Sequence, residues 1–118
     1  MEKSKLTANV NQLNQMIQTG KVLEAFEQFY ADDIVMQENE NTPTIGKQAC
    51  RANEERFVNG ILEFRKADIK NVIISQNLSV VEWDFDYTHK DWGKRSYTQL
   101  AVQRWNDDGQ IVNEKFYY

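Results

Sequence analysis

FYADDIVMQENENTPTIGK, residues 29–47, holds the change of structural period on which the fold turns. Phe29 and Tyr30 close an amphipathic helical pattern, and Ala31-Asp32-Asp33 favours turn chemistry over further helix. Ile34 to Glu38 then alternates apolar and polar, the period of a short half-buried strand. Asn39 to Gly46 reads as a polar loop around Pro43, the only proline of the chain. A carboxylate, Glu38, therefore ends a strand that otherwise heads into the core.

Upstream, Leu6, Val10, Leu13, Met16 and Ile17 make one stripe at the 3.6-residue period of a helix. Ser4 and Thr7 are both available to cap its start, and Gly20 is suited to the left-handed residue that ends it. A second helix follows, burying Val22, Leu23, Phe26, Phe29 and Tyr30. Downstream, a third helix runs from Lys47 to Asn59 and stops at Gly60. Ala49, Cys50, Asn53 and Phe57 form its inner side, with Arg51, Glu54 and Glu55 outside.

Beyond Gly60 the pattern is strand after strand: 65–75, 78–89, 94–105 and 111–118. Lys90-Asp91-Trp92-Gly93 and Asn106-Asp107-Asp108-Gly109 are hairpin turns in sequence. Helices first and antiparallel strands afterwards make an α+β pattern. We expect one domain over 1–118: a cone in which three N-terminal helices pack on a curved antiparallel sheet and enclose a cavity.

Bulk properties narrow the function. At 118 residues there is room for one domain. A single cysteine excludes an intramolecular disulfide framework and suits a reducing compartment. The opening residues lack the pattern of a signal peptide. No apolar run nears the roughly 20 residues of a membrane-spanning helix. A net charge of −4 argues against nucleic acid. The expectation is a cytoplasmic protein with neither nucleic-acid nor membrane partners. Six phenylalanines, five tyrosines and three tryptophans must fill a core or line a cavity.

The order of three segments resembles a known family: Tyr30-Ala31-Asp32-Asp33-Ile34-Val35, then Pro43-Thr44-Ile45-Gly46-Lys47, then Asp108 to Tyr118. Together they are similar to the SnoaL-like branch of the nuclear transport factor 2-like superfamily, and the resemblance extends over essentially the whole chain. Ketosteroid isomerases, polyketide cyclases, limonene epoxide hydrolase and scytalone dehydratase share that cone fold. The fold hosts enzymes and non-enzymes alike. In the isomerases the strand after the Ala-Asp-Asp turn ends in a proton-shuttling carboxylate, a position that falls on Glu38. Their oxyanion donors fall on Leu13 and Ala101, which cannot donate. Such donors usually contribute more than any other group to stabilising the enolate, so the chain is not expected to isomerise steroids.

Candidate chemistry gathers on the inner faces. Glu38 is the candidate general base. Val81, Trp83, Phe85, Tyr87 and His89 share one strand face and must look at the helices. By resemblance to the family's last strand, Glu114, Phe116 and Tyr118 point inward, with Ile111, Asn113, Lys115 and Tyr117 outward. An inward Glu114 pairs with Glu38 as acid and base, or is held by Arg56, Gln99 or Gln103. Met36, Phe57, Trp83, Phe85, Tyr87, Tyr97, Gln99, Phe116 and Tyr118 are the expected ligand-pocket walls.

No metal is expected. Glu82, Asp84 and Asp86 span about 13 Å at about 3.3 Å per residue, too spread to close on one ion. Arg95, Arg104 and Lys115 are available from neighbouring strands for cross-strand pairing. His89, the only histidine, is expected at an exposed hairpin tip without a second ligand. Cys50 is expected to be a buried structural thiol.

Two readings remain open. One is a cofactor-independent isomerase, cyclase or hydrolase acting on a hydrophobic small molecule through Glu38. The other is a non-catalytic ligand-binding or dimerisation module. A homodimer through the outer sheet face is expected in either case.

Overall fold

The computed structural model describes residues 1–118. The order is α1 (Lys3–Gln18), α2 (Val22–Phe29), β1 (Tyr30–Glu38), β2 (Thr44–Ile45), α3 (Lys47–Gly60), β3 (Ile61–Ser75), β4 (Leu78–His89), β5 (Gly93–Trp105) and β6 (Ile111–Tyr117). Leu6, Val10 and Leu13 bury the stripe of α1, with Met16 and Ile17 half-buried. Neither Ser4 nor Thr7 caps this helix: the N-cap is Glu2, without a side-chain bond, and Thr7 Oγ1 donates to the Lys3 carbonyl at 2.8 Å. At the other end Gly20 sits at φ +82. Lys21 N–H reaches the Met16 carbonyl at 2.8 Å and Gly20 N–H the Ile17 carbonyl at 3.2 Å, closing a Schellman motif.

The six strands form one sheet in the order β2-β1-β6-β5-β4-β3. It is mixed rather than purely antiparallel, because β1 and β6 run parallel. α3 carries the chain from β2 across to β3 at the far edge, and three hairpins bring it back until β6 lies beside β1. Bulges along β3, between Ile61 and Glu63, Phe64 and Lys66, and Ile69 and Asn71, add the twist that lets the sheet wrap the helices.

Several local expectations change. Asp32 and Asp33 do not make a turn: α2 passes directly into β1, and a register irregularity between Tyr30 and Val35 exposes both carboxylates without ending the strand. Thr44 and Ile45, expected in a loop, pair with Met36 and Val35 as β2. Ile111 is fully buried rather than outward. Register with β5 shifts between Arg104 and Trp105, so Val112 is the extra residue and Ile111 changes face.

His89 is also buried, at 1% exposure, and not at an exposed tip. Its ring stacks on Trp92, with centroids 3.7 Å apart. Nε2 donates to the Arg56 carbonyl and Nδ1 accepts from Asp91 N–H, both at 3.1 Å, so one tautomer satisfies both bonds.

On the outer face, the charged partners of the β4 acids come from β3 rather than from Arg95, Arg104 or Lys115, while Thr98 of β5 donates to Asp84 at 2.7 Å. Arg65 holds Asp86 at 2.9 Å, Lys66 and Lys70 each lie 3.7 Å from Asp84, and Asn71 donates to Glu82. Lys115 instead pairs with Glu40. No three His, Cys, Asp or Glu residues gather closely enough to hold a metal ion. No helix is long and apolar enough to cross a membrane.

Candidate functional site

Between the concave sheet and the helices lies a cavity of about 520 Å³. Its sheet wall follows from alternation: Trp83, Phe85 and Tyr87 project from β4, Tyr97 and Gln99 from β5, and Phe116 from β6, followed by Tyr118. Met36 of β1 and Phe57 of α3 complete the nine residues expected as walls, and all nine line the cavity. The rings brace one another. Trp83 stacks on Phe85 at 5.1 Å, Tyr97 meets Tyr118 at 5.1 Å, and the Tyr87 and Tyr97 hydroxyls lie 2.8 Å apart.

Three carboxyl groups share this space. Glu114, at 2% exposure, is the deepest. Tyr30 OH donates to its Oε1, and Gln103 Nε2 donates to its Oε2 at 2.7 Å. Gln103, rather than Arg56 or Gln99, therefore holds it. Burial pushes the carboxyl up to about 7, partly offset by the bonds from Tyr30 and Gln103. The Tyr30 phenol is in turn raised well above its ordinary value, by burial first and then by the Glu114 charge.

Glu38 lies at the mouth, exposed, and lines the cavity from the end of β1. It stands in register with Phe116. Partial burial and then the Glu38 charge push the Tyr118 phenol up to about 12. Structure thus puts Glu38 and Glu114 on one cavity at different depths, two residues apart along β1 and β6: Met36 pairs with Glu114, and Glu38 with Phe116.

The third acid was expected outside. Glu54 is half-buried and lines the cavity from α3. Removal from water, followed by the charges of Glu114 and Glu38, pushes it up to about 8. Sequence contained a signal for it: Glu54 lies four residues after Cys50 and three before Phe57, both on the inner side, so helical spacing brings it to the same face. Arg51 and Glu55 do pair with each other at the surface, at 2.8 Å. Cys50 is buried, its thiol raised by burial and donating to the Thr44 carbonyl at 3.4 Å, as befits a structural thiol.

The SnoaL-like domain model matches residues 10–114. No curated protein matches the chain. Among solved structures, a candidate SnoaL-like polyketide cyclase from Mesorhizobium loti is 21% identical with a TM-score of 0.83, over 95% of this chain and 97% of that one. An NTF-2 like protein of unknown function from Burkholderia xenovorans LB400 is 18% identical with a TM-score of 0.78, over 99% and 84%. A protein with a ketosteroid isomerase-like fold from Catenulispora acidiphila DSM 44928, solved in complex with trimethylamine, is 14% identical with a TM-score of 0.70, over 87% and 79%. At such identities the likeness is one of fold.

Proposed function

The chain belongs to the SnoaL-like domain family, and from that premise we propose that it binds a hydrophobic small molecule in the cone. There it catalyses proton transfer, cyclisation or water addition without a metal or cofactor. The fold is one that supports ligand binding and isomerase- or cyclase-type chemistry. The observation that carries the proposal is the convergence of Glu38, Glu54 and Glu114 on a single ring-lined cavity of about 520 Å³. That mixture of apolar wall and few polar groups is typical of small-molecule sites. Glu38, at the mouth, is the proposed general base. Glu114, whose two oxygens already accept hydrogen bonds, is the proposed orienting group. A homodimer is proposed through the outer sheet face, where Ile73, Leu100 and Tyr117 are exposed.

A thermal-shift screen across ketones, epoxides and lactones tests the cavity, followed by turnover assays on any ligand found. Glu38→Gln is expected to keep binding and lose about 10²- to 10⁴-fold in kcat, the usual worth of a general base. A screen without a stabilising ligand refutes the cavity reading. Undiminished turnover by Glu38→Gln refutes the assigned base. A ligand that the unmodified protein binds and never converts selects the non-catalytic reading.

A further inference from the structure

Glu54 makes no ion pair and no hydrogen bond with another side chain, although it lines the cavity. Glu114 is the opposite case, since each of its oxygens has a donor. Behind Glu114 the donors are arranged in one direction. Trp105 Nε1–H reaches Ser79 Oγ at 2.9 Å, Ser79 Oγ reaches Gln103 Oε1 at 2.6 Å, and Gln103 Nε2 reaches Glu114 Oε2 at 2.7 Å. An indole nitrogen can only donate, so Ser79 accepts there and sends its own hydrogen to Gln103. The amide oxygen is thereby occupied, and the end of Gln103 facing Glu114 must be the donating NH₂. All four of these side chains are buried.

We propose that Glu54 is the proton-bearing acid of the cavity, and that the relay from Trp105 through Ser79 and Gln103 keeps Glu114 as its ionised partner. The inference rests on the cavity reading above and deepens it. A neutral carboxyl on α3 supplies a hydrogen-bond donor, which Leu13 and Ala101 cannot. The ligand class that fits is an apolar body carrying an acceptor oxygen, as a ketone does, with that oxygen set against Glu54. Ser79 and Trp105 act only through Gln103 and are positioning residues.

The charged surroundings favour this division. Glu38 of β1 and Glu114 of β6 both oppose ionisation of Glu54. Arg56 and Arg95 also line the cavity but are engaged elsewhere, Arg56 with Asn53 and Arg95 over the Tyr97 ring at 5.2 Å. The remaining titratable neighbours are the Cys50 thiol and the phenols of Tyr30, Tyr87, Tyr97 and Tyr118. Removal from water raises both carboxyls, but the Tyr30 and Gln103 donors favour the charged form of Glu114 and Glu54 has no such donor, so Glu114 ionises first as pH rises.

Carbon-13 NMR of glutamate-labelled protein, assigned with Glu54→Gln and Glu114→Gln, tests the order directly. Glu114 is expected to ionise before Glu54. Ser79→Ala, which frees the amide to turn, is expected to raise the Glu114 titration by about one pH unit or more, the worth of one hydrogen bond to a charged group. Ser79→Thr is expected to restore it. Gln103→Met tests the same bond should Ser79→Ala fail to fold. Ionisation of Glu54 first, or a Glu114 titration unmoved by loss of the Gln103 donor, overturns the relay.

The ligand class is tested with 2-acetylnaphthalene labelled at its carbonyl carbon, against 2-isopropylnaphthalene. The expected result is a downfield carbonyl shift on binding at pH 7, lost at pH 9.5 and in Glu54→Leu. Equal binding of both compounds with an unshifted carbonyl overturns the donor role and leaves the cavity reading intact. Binding of neither overturns both.

Discussion

Gly60→Ala is expected to destabilise the protein for reasons of space alone. Gly60 ends α3 without a positive φ, so an alanine backbone is acceptable there. A Cβ at this position would lie 2.0 Å from His89 Nε2 and 2.2 Å from Cε1. The ring cannot yield cheaply. It is fixed at both nitrogens, by the Arg56 carbonyl and Asp91 N–H, and covered by Trp92. Overpacking of this kind costs about 1–3 kcal/mol, and loss of the ring stack adds about 0.5–1.5 kcal/mol. Replacing a helical glycine returns about 1 kcal/mol. The net expectation is a loss of about 0.5–3.5 kcal/mol, centred near 2, or roughly 8 °C in Tm at that centre for a domain of this size. Urea denaturation followed by tryptophan fluorescence measures it, in the unmodified protein and again with His89→Ala. Once the ring is gone, Gly60→Ala should cost less than about 0.5 kcal/mol or become stabilising, because only the gain in helix propensity remains. An unchanged midpoint for Gly60→Ala, or an equal cost in both backgrounds, would refute the reasoning.

Glu54 and Glu114 also set how stability varies with pH. Both carry an ordinary value of 4.5 when unfolded and are raised in the fold to about 8 and about 7. Between these limits the folded chain holds protons that the unfolded chain has released, so stability falls as pH rises through that window and levels off above about 8. Each group contributes up to about 1.4 kcal/mol per pH unit. The paired acids Asp84 and Asp86, lowered from 3.8 chiefly by Thr98 and Arg65 respectively, act below this window. The urea midpoint should therefore drop from pH 5 to pH 8 and flatten in Glu54→Gln/Glu114→Gln; a rise over the same interval contradicts the burial argument. For the dimer, sedimentation at micromolar concentration should give twice the chain mass, and a monomer at that concentration removes the proposal.

The legible parts of the fold were those whose signal is local. Gly20, the hairpin turns and the alternation of 78–89 need only neighbouring residues, and β4 spans Leu78–His89 as that alternation requires. What escaped depends on partners distant in sequence. Parallel pairing of β1 with β6 leaves no trace in either strand. One extra residue, Val112, reverses the face of Ile111, and strict alternation cannot foresee it. His89 is buried because Gly60, far back in the chain, leaves room for its ring. The cavity walls on β4 and β5 were readable from alternation, and those on the last strand from its resemblance to the family's. Glu54 was not, because a charged residue was assigned outward by polarity although its spacing from Cys50 and Phe57 put it inside.

The place of β6 between β1 and β5 also orders events in time. β3, β4 and β5 pair through local hairpins, whereas within the sheet β1 and β2 are joined to them only by the last strand. The two halves of the sheet are thus held apart by most of the chain's length, a long-range closure that slows folding. β6 brings Glu114 with it. The acid is therefore drawn into its place between Tyr30 and Gln103 at the same step that joins the two halves. Chemistry and closure share one moment, and an intermediate lacking β6 would have neither.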